Sequence, residues 1–206
     1  MRHHTFGAAL LLITLASTPA LAQSSGPWVS VGAGIVDAET DERSGAGFTA
    51  TTLGARIGYD FGRYFGVEAE GALGLSGSGE DRSGAPDSPF RFDERFEYAA
   101  DYGVFLRGRV PVSDRVEIFA RIGLGGRDLD VEILQTDGDG NPLPVTEITR
   151  NDTYGALGIG AQFAFGTGRQ NAVRVDASLR GFADFSEEDS NNPTDTALSV
   201  AYVRKF

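Results

Sequence analysis

The 206-residue chain has no cysteine, two histidines, one lysine and one tryptophan. Without thiols, neither a disulfide framework nor a structural cysteine–zinc centre is possible. The longest apolar stretch, residues 6–16, is half the ~20 residues that a membrane-spanning helix needs. Basic residues are also scarce, 18 against 29 acids, for a formal charge of −11. An acidic chain lacks the basic face that phosphate backbones require, so nucleic acid is not an expected partner. Helical periodicity is missing as well. What is abundant is glycine, 28 residues, together with arginine, since Lys205 is the only lysine.

The N-terminus reads as an address. Arg2 precedes the short apolar stretch, Pro19 breaks it, and Ala20-Leu21-Ala22 supplies small residues for cleavage. That layout predicts a secretory signal peptide over residues 1–22 and a mature domain over residues 23–206. Gln23 stands where a lipoprotein would need cysteine. Both histidines, His3 and His4, leave with the leader.

The mature chain alternates with a period of two in eight segments of about ten residues. They are 28–36, 53–61, 65–75, 98–109, 116–124, 155–165, 173–180 and 197–206. The second sets Leu53, Ala55, Ile57, Tyr59 and Phe61 against Gly54, Arg56, Gly58 and Asp60. The fourth sets Tyr98, Ala100, Tyr102, Val104 and Leu106 against Asp101, Phe105, Arg107 and Arg109. In the first segment the faces are ambiguous around Trp28. Segments of this length suit strands that cross a bilayer at a tilt.

A soluble barrel with an apolar interior would alternate in the same way. Connection lengths separate the two cases. Links after segments two, four and six are tight, whereas 37–48, 76–97, 127–153 and 184–196 are long and polar. Short turns on one side and long loops on the other describe an outer-membrane barrel with periplasmic termini. Tyr59, Phe61, Tyr64, Phe65, Phe163, Phe165, Tyr202 and Phe206 gather at the tight-turn ends, as in an interfacial girdle.

The polar face is balanced in charge. Arg56, Arg107, Arg109, Arg121, Arg174 and Arg180 stand with Glu68, Glu70, Asp101, Glu117 and Asp176. A charge buried in a narrow lumen must find a partner, so these eleven residues predict an internal ion-pair network. With Glu97 left out as strand-proximal, 21 of the 29 acids fall in the four long connections, while Arg63, Arg115, Arg169, Arg204 and Lys205 form a basic rim on the opposite side. Such a rim favours anionic phospholipid headgroups.

A leader, eight alternating segments and the terminal Phe206 together resemble the small OmpA/OmpX-type outer-membrane β-barrels. The resemblance implies an all-β, eight-stranded, antiparallel up-and-down transmembrane barrel, without a peptidoglycan-binding domain. It further implies contact with outer-membrane lipids and lipopolysaccharide, and recognition by the barrel-assembly machinery through Tyr202 and Phe206 of the last strand. Closure would remove free strand edges within the membrane, which makes a monomer the expectation. Arg204 departs from the family's apolar preference two places before the end.

Other motifs are weaker. Asp137 to Asn141 begins like a calcium loop, but Pro142 takes the glycine position and Ile148 the position of the closing glutamate. A hairpin tip is the simpler reading. Around it, 127–153 reads as a protruding hairpin with an edge open to a surface ligand. With no histidine or cysteine after residue 22, the usual nucleophile–base pairs and imidazole or thiolate metal sites cannot be built. No cofactor, metal site or catalytic residue is expected. The sequence therefore points to a structural and surface-interaction role, adhesin-like or in envelope integrity, through acidic loops. The alternative is a narrow passive channel for ions or water.

Overall fold

In a computed structural model, residues 25–41, 46–83, 91–136, 143–182 and 194–206 are described. The expected leader, the Asp137 to Asn141 motif and most of 184–196 lie outside them. All regular structure among the described residues is β. The strands are β1 Gly26–Asp41, β2 Ala46–Phe61, β3 Phe65–Ser76, β4 Ser78–Ser83, β5 Arg91–Pro111, β6 Val116–Thr136, β7 Thr146–Phe165, β8 Asn171–Phe182 and β9 Thr194–Lys205. Gly77, at a φ of 130°, interrupts what is otherwise one stave, so β3 and β4 pair in turn with β5.

Every neighbouring pair is antiparallel. The first strand meets the last, from Trp28 opposite Lys205 to Asp37 opposite Thr196. On the other side β3 meets β5, from Phe65 opposite Gly108 to Leu73 opposite Ala100. The result is a closed barrel of eight staves. Closure leaves no free edge where the staves all pair.

The tight turns have local causes. Gly62 adopts a φ of 69° between Phe61 and Phe65, which glycine does without steric cost. After Pro111, the Ser113 hydroxyl accepts from the amides of Arg115 and Val116 at 3.3 and 3.1 Å. The third turn holds Gly166 at 79° and Arg169 at 51°, with Arg169 paired to Asp114 at 3.0 Å.

The outward positions are apolar and exposed along the middle of every stave. Val31, Ile57, Val104, Ile122, Ile159, Leu179 and Val200 are all more than 44% exposed, a surface only lipid can solvate. Paired rings of Tyr59 with Phe61, and of Phe165 with Tyr202, mark its tight-turn margin. The ambiguity in β1 resolves in favour of Trp28, Ser30, Val36 and Ala38 pointing inward.

Two expectations need correction. The strands are longer than predicted, and they consume much of the supposed loops. β1 and β2 pair as far as Asp41 opposite Ala46, and β5 and β6 as far as Arg91 opposite Thr136. Tyr98 is also on the other face. A register shift between Tyr98 and Ala100 turns its ring inward, where it is buried. A bulge of this kind inserts one residue and reverses every side chain beyond it.

Candidate functional site

Chemistry on this chain is concentrated inside the barrel. All eleven charged residues singled out above point inward, and they form ion pairs at successive heights. Nearest the tight turns, Asp60 accepts from Arg107 and, at 2.7 Å, from Arg109. Arg109 also reaches Glu117 at 2.9 Å and the Gly62 carbonyl at 2.7 Å. Lys205 lies 3.8 Å from both Asp60 and Glu117, so it faces the lumen and not the rim.

One level higher, Arg174 grips Glu68 with two parallel bonds of 2.8 and 3.0 Å. β8 and β3 stand on opposite sides of the ring, so this fork spans the barrel's diameter. Arg121 donates to the same carboxylate at 3.0 Å and also pairs with Glu70. Arg56 completes the level, bonding Glu70 at 2.8 Å and Asp176 at 2.8 and 3.2 Å. Two-point contacts between guanidinium and carboxylate planes hold geometry as well as charge.

Above it, Asp101 accepts from the Tyr98 and Tyr154 hydroxyls at 2.8 and 2.7 Å and pairs with Arg180. Near the loop-side mouth, Arg127 binds Asp195 at 2.6 Å and Asp152 at 2.9 Å. Arg127 and Asp195 are both fully buried. This clasp joins β6, β7 and β9. It was missed in the sequence because all three residues lie in segments read as loops. The signal was present all the same: Arg127 continues the inward series of Arg121, Gly123 and Gly125.

Aromatic rings separate the charges. Trp28 lies against Gly58, Phe119 against Gly160 and Phe105 against Gly123, each glycine leaving no room for a side chain. A guanidinium covers the rings: Arg174 is 4.1 Å from Phe119, Arg121 4.3 Å from Phe105 and Arg107 4.8 Å from Trp28. Desolvated contacts of this kind add to the ion pairing. They explain much of the glycine excess, since each ring needs a bare stretch of neighbouring strand.

The lumen is also stopped by apolar side chains. Trp28, Ala172 and Val203 pack together at the tight-turn end. Val36, Ala38, Phe48, Ala50, Tyr98, Leu129, Val131 and Ala197 fill the loop-side end. Ion pairs, stacked rings and two apolar clusters thus occupy much of the interior.

The two predicted assembly residues sit at the same rim. Tyr202 faces outward and donates to Asn171 at 2.7 Å, and the Phe206 amide bonds the Pro27 carbonyl at 3.1 Å. Arg204 shares Asn171 at 2.7 Å and lies over the Phe206 ring. In the predicted hairpin, β6 and β7 pair as far as Ile133 opposite Thr146. The β6 edge is covered by β5, contrary to expectation. On β7, strand pairing with β8 stops at Tyr154, so residues 146–153 present the hairpin's only unpaired edge among the described residues.

A closed eight-stave barrel with a lipid-facing exterior and a charged interior defines an integral outer-membrane β-barrel protein. A family model, the outer membrane protein beta-barrel domain, matches residues 8–206, and the chain belongs to that family. No curated protein sequence matches it. Among solved structures it is similar to Ail, the attachment invasion locus protein of Yersinia pestis, crystallised with the heparin analogue sucrose octasulfate. That match has 13% identity, covers 88% of this chain and 99% of Ail, and has a TM-score of 0.51. It is also similar to the outer membrane protein OprG of Pseudomonas aeruginosa, at 11% identity, 88% and 97% coverage and a TM-score of 0.51. Identity this low establishes a shared fold.

Proposed function

We propose that the chain is a non-enzymatic barrel whose work is done at the cell surface, the membrane-embedded part serving as a rigid pedestal. The tight turns and both termini face the periplasm, and the acidic connections face outward with the extended ends of β5, β6 and β7. The role is structural and interactive: the acidic side meets a surface ligand or the lipopolysaccharide layer. The observation that carries this reading is the Arg174–Glu68 fork across the lumen, backed by Arg56, Arg121, Glu70 and Asp176. An interior so braced supports display better than passage. Absence of histidine and cysteine from residues 23–206 supports a role without catalysis.

Among barrels of this fold, Ail binds a heparin analogue. The acid-rich connections here would repel a sulfated glycan, so a ligand of the opposite charge is the better match.

Planar-bilayer recording tests the pedestal reading. The wild type is expected to be silent, and Glu68→Ala and Arg107→Ala to open irregular conductances as unpaired guanidinium or carboxylate groups recruit water. Steady wild-type openings would overturn it and establish the passive channel. On cells, removal of residues 131–148 is expected to abolish surface binding while the barrel still folds. Binding that survives the deletion would dissociate the hairpin from the interaction.

A further inference from the structure

The last strand carries a charge on its lipid face. Val203 is buried and Lys205 turns to the lumen, so Arg204 between them points outward, at the tight-turn margin of the apolar belt. Its partners across the sheet are Asn171 on β8 and Val29 on β1, and beyond these Phe165 and Ile57. Among the described residues, no other outward position of the belt is charged. Each arginine of the lumen meets a carboxylate, whereas Arg204 pairs with none among the described residues. A cation beside hydrocarbon is tolerable where its long stem lets the charge reach headgroup level.

The side chain is nevertheless fixed. Arg204 Nη1 donates to Asn171 Oδ1 at 2.7 Å, and the guanidinium lies 6.0 Å from the Phe206 ring centroid. Tyr202 donates to the same Oδ1 at 2.7 Å. A guanidinium can only donate, so the amide oxygen must face it, and the Asn171 amino group is turned away. Among the described residues no acceptor takes Arg204 Nε, Arg204 Nη2 or Asn171 Nδ2. We propose that Arg204 and Asn171 form a binding site for the phosphodiester of a membrane phospholipid, its acyl chains lying on the exposed Val31, Val173 and Val200. A phosphate matches the guanidinium fork, two N–H groups to two oxygens, and Asn171 Nδ2 supplies a further donor. The apolar belt beside the site selects an anion that carries its own hydrocarbon, which free phosphate does not. The stacked rings of Phe165 and Tyr202 flank it, as interfacial aromatics do. Arg204, which departs from the apolar residue expected two places before the end, thus makes part of the girdle a lipid clamp. The site requires the lipid-facing exterior and does not depend on what the loops bind or on which leaflet the tight turns meet.

Native mass spectrometry of the protein released from phosphatidylglycerol nanodiscs doped with diacylglycerol tests it. The wild type is expected to keep one phosphatidylglycerol per chain and no diacylglycerol, which has the chains but not the phosphate. Arg204→Gln is expected to lower the retained fraction at least fivefold. Asn171→Asp keeps both accepted bonds, and with them the local fold, but gives the guanidinium a carboxylate and removes the amino group. It is expected to lower retention at least as far. Arg95→Gln makes the same change of net charge at the loop-side end and is expected to stay within twofold of the wild type. A wild type that keeps no phosphatidylglycerol, or keeps diacylglycerol equally, would overturn the site. Full retention by Asn171→Asp would make Arg204 a structural residue, and an equal fall in Arg95→Gln would reduce the effect to net charge. Displacement of the lipid by inorganic phosphate would reassign the site to a soluble anion.

Discussion

Along β6 the two faces of one strand exchange chemistry part of the way up. From Ile118 to Leu124 the outward side chains are apolar, and the inward ones are Glu117, Phe119 and Arg121. From Asp128 upward the outward positions are Asp128, Asp130 and Glu132, and the inward ones are Leu129 and Val131, both buried. β1 makes the same exchange between Ile35 and Val36, and β2 between Leu53 and Ala50. The lower region is solvated by lipid outside and by its own charges inside. The upper region has polar side chains outside and an apolar cluster inside, with the Arg127–Asp195 pair buried beside it. Pleat and pairing run through unbroken; only the solvent differs, and residue choice follows the solvent.

The boundary can be attacked from both sides. The largest effect is expected at Glu68→Ala, which leaves Arg174 and Arg121 buried without their shared carboxylate. A loss of about 3–5 kcal/mol is predicted in urea unfolding from lipid vesicles, the cost of stranding a buried charge. A loss below about 1 kcal/mol would mean that water already screens the pair.

Next comes Leu129→Ala in the upper core, predicted to cost about 3 kcal/mol because the surrounding side chains relax only partly into the space. The same truncation at Leu124, on the lipid face, should cost much less, since lipid chains fill what is vacated. Equal losses would contradict the change of solvent between the two positions.

Ile122→Arg follows, at about 2–4 kcal/mol for a charge near the bilayer midplane. Smallest is Asn151→Arg, on the outward face of β7 above the boundary, expected within about 0.5 kcal/mol of the wild type. Refolding yields into vesicles, compared for the two arginines, would show the difference directly.

The same exchange of faces explains which parts of the protein were legible in its sequence. Strand number, order and lower-face assignment followed from apolar positions two apart. The expected strand ends at 36, 53, 98, 124, 155 and 197 are where the lipid-facing apolar series stops. Beyond them the chain stays extended while its hydrophobic positions shift to the other face, which resembles the end of a strand. Tyr98 was misplaced for a related reason, since the bulge beside it adds one residue and restores an apparent continuity. Within the site, Arg56, Glu68, Glu70, Arg121, Arg174 and Asp176 stand among apolar alternation and were visible. Arg127, Asp152 and Asp195 stand among loop-like acids and were not. Which arginine meets which carboxylate depends on barrel closure and register, which no local pattern carries.

The central claim is that one continuous set of strands passes from lipid into water and inverts its faces there. Spin labels at outward positions 118, 120, 122, 124, 126, 128, 130 and 132 of β6 test it most directly, and the cysteine-free chain permits single labels. Collisions with oxygen are predicted to dominate through Leu124, and those with a water-soluble nickel chelate from Asp128 onward. Inward labels at 127, 129 and 131 are predicted to be reached by neither. Oxygen dominance through Glu132, or loss of the two-residue period after Leu124, would contradict the account.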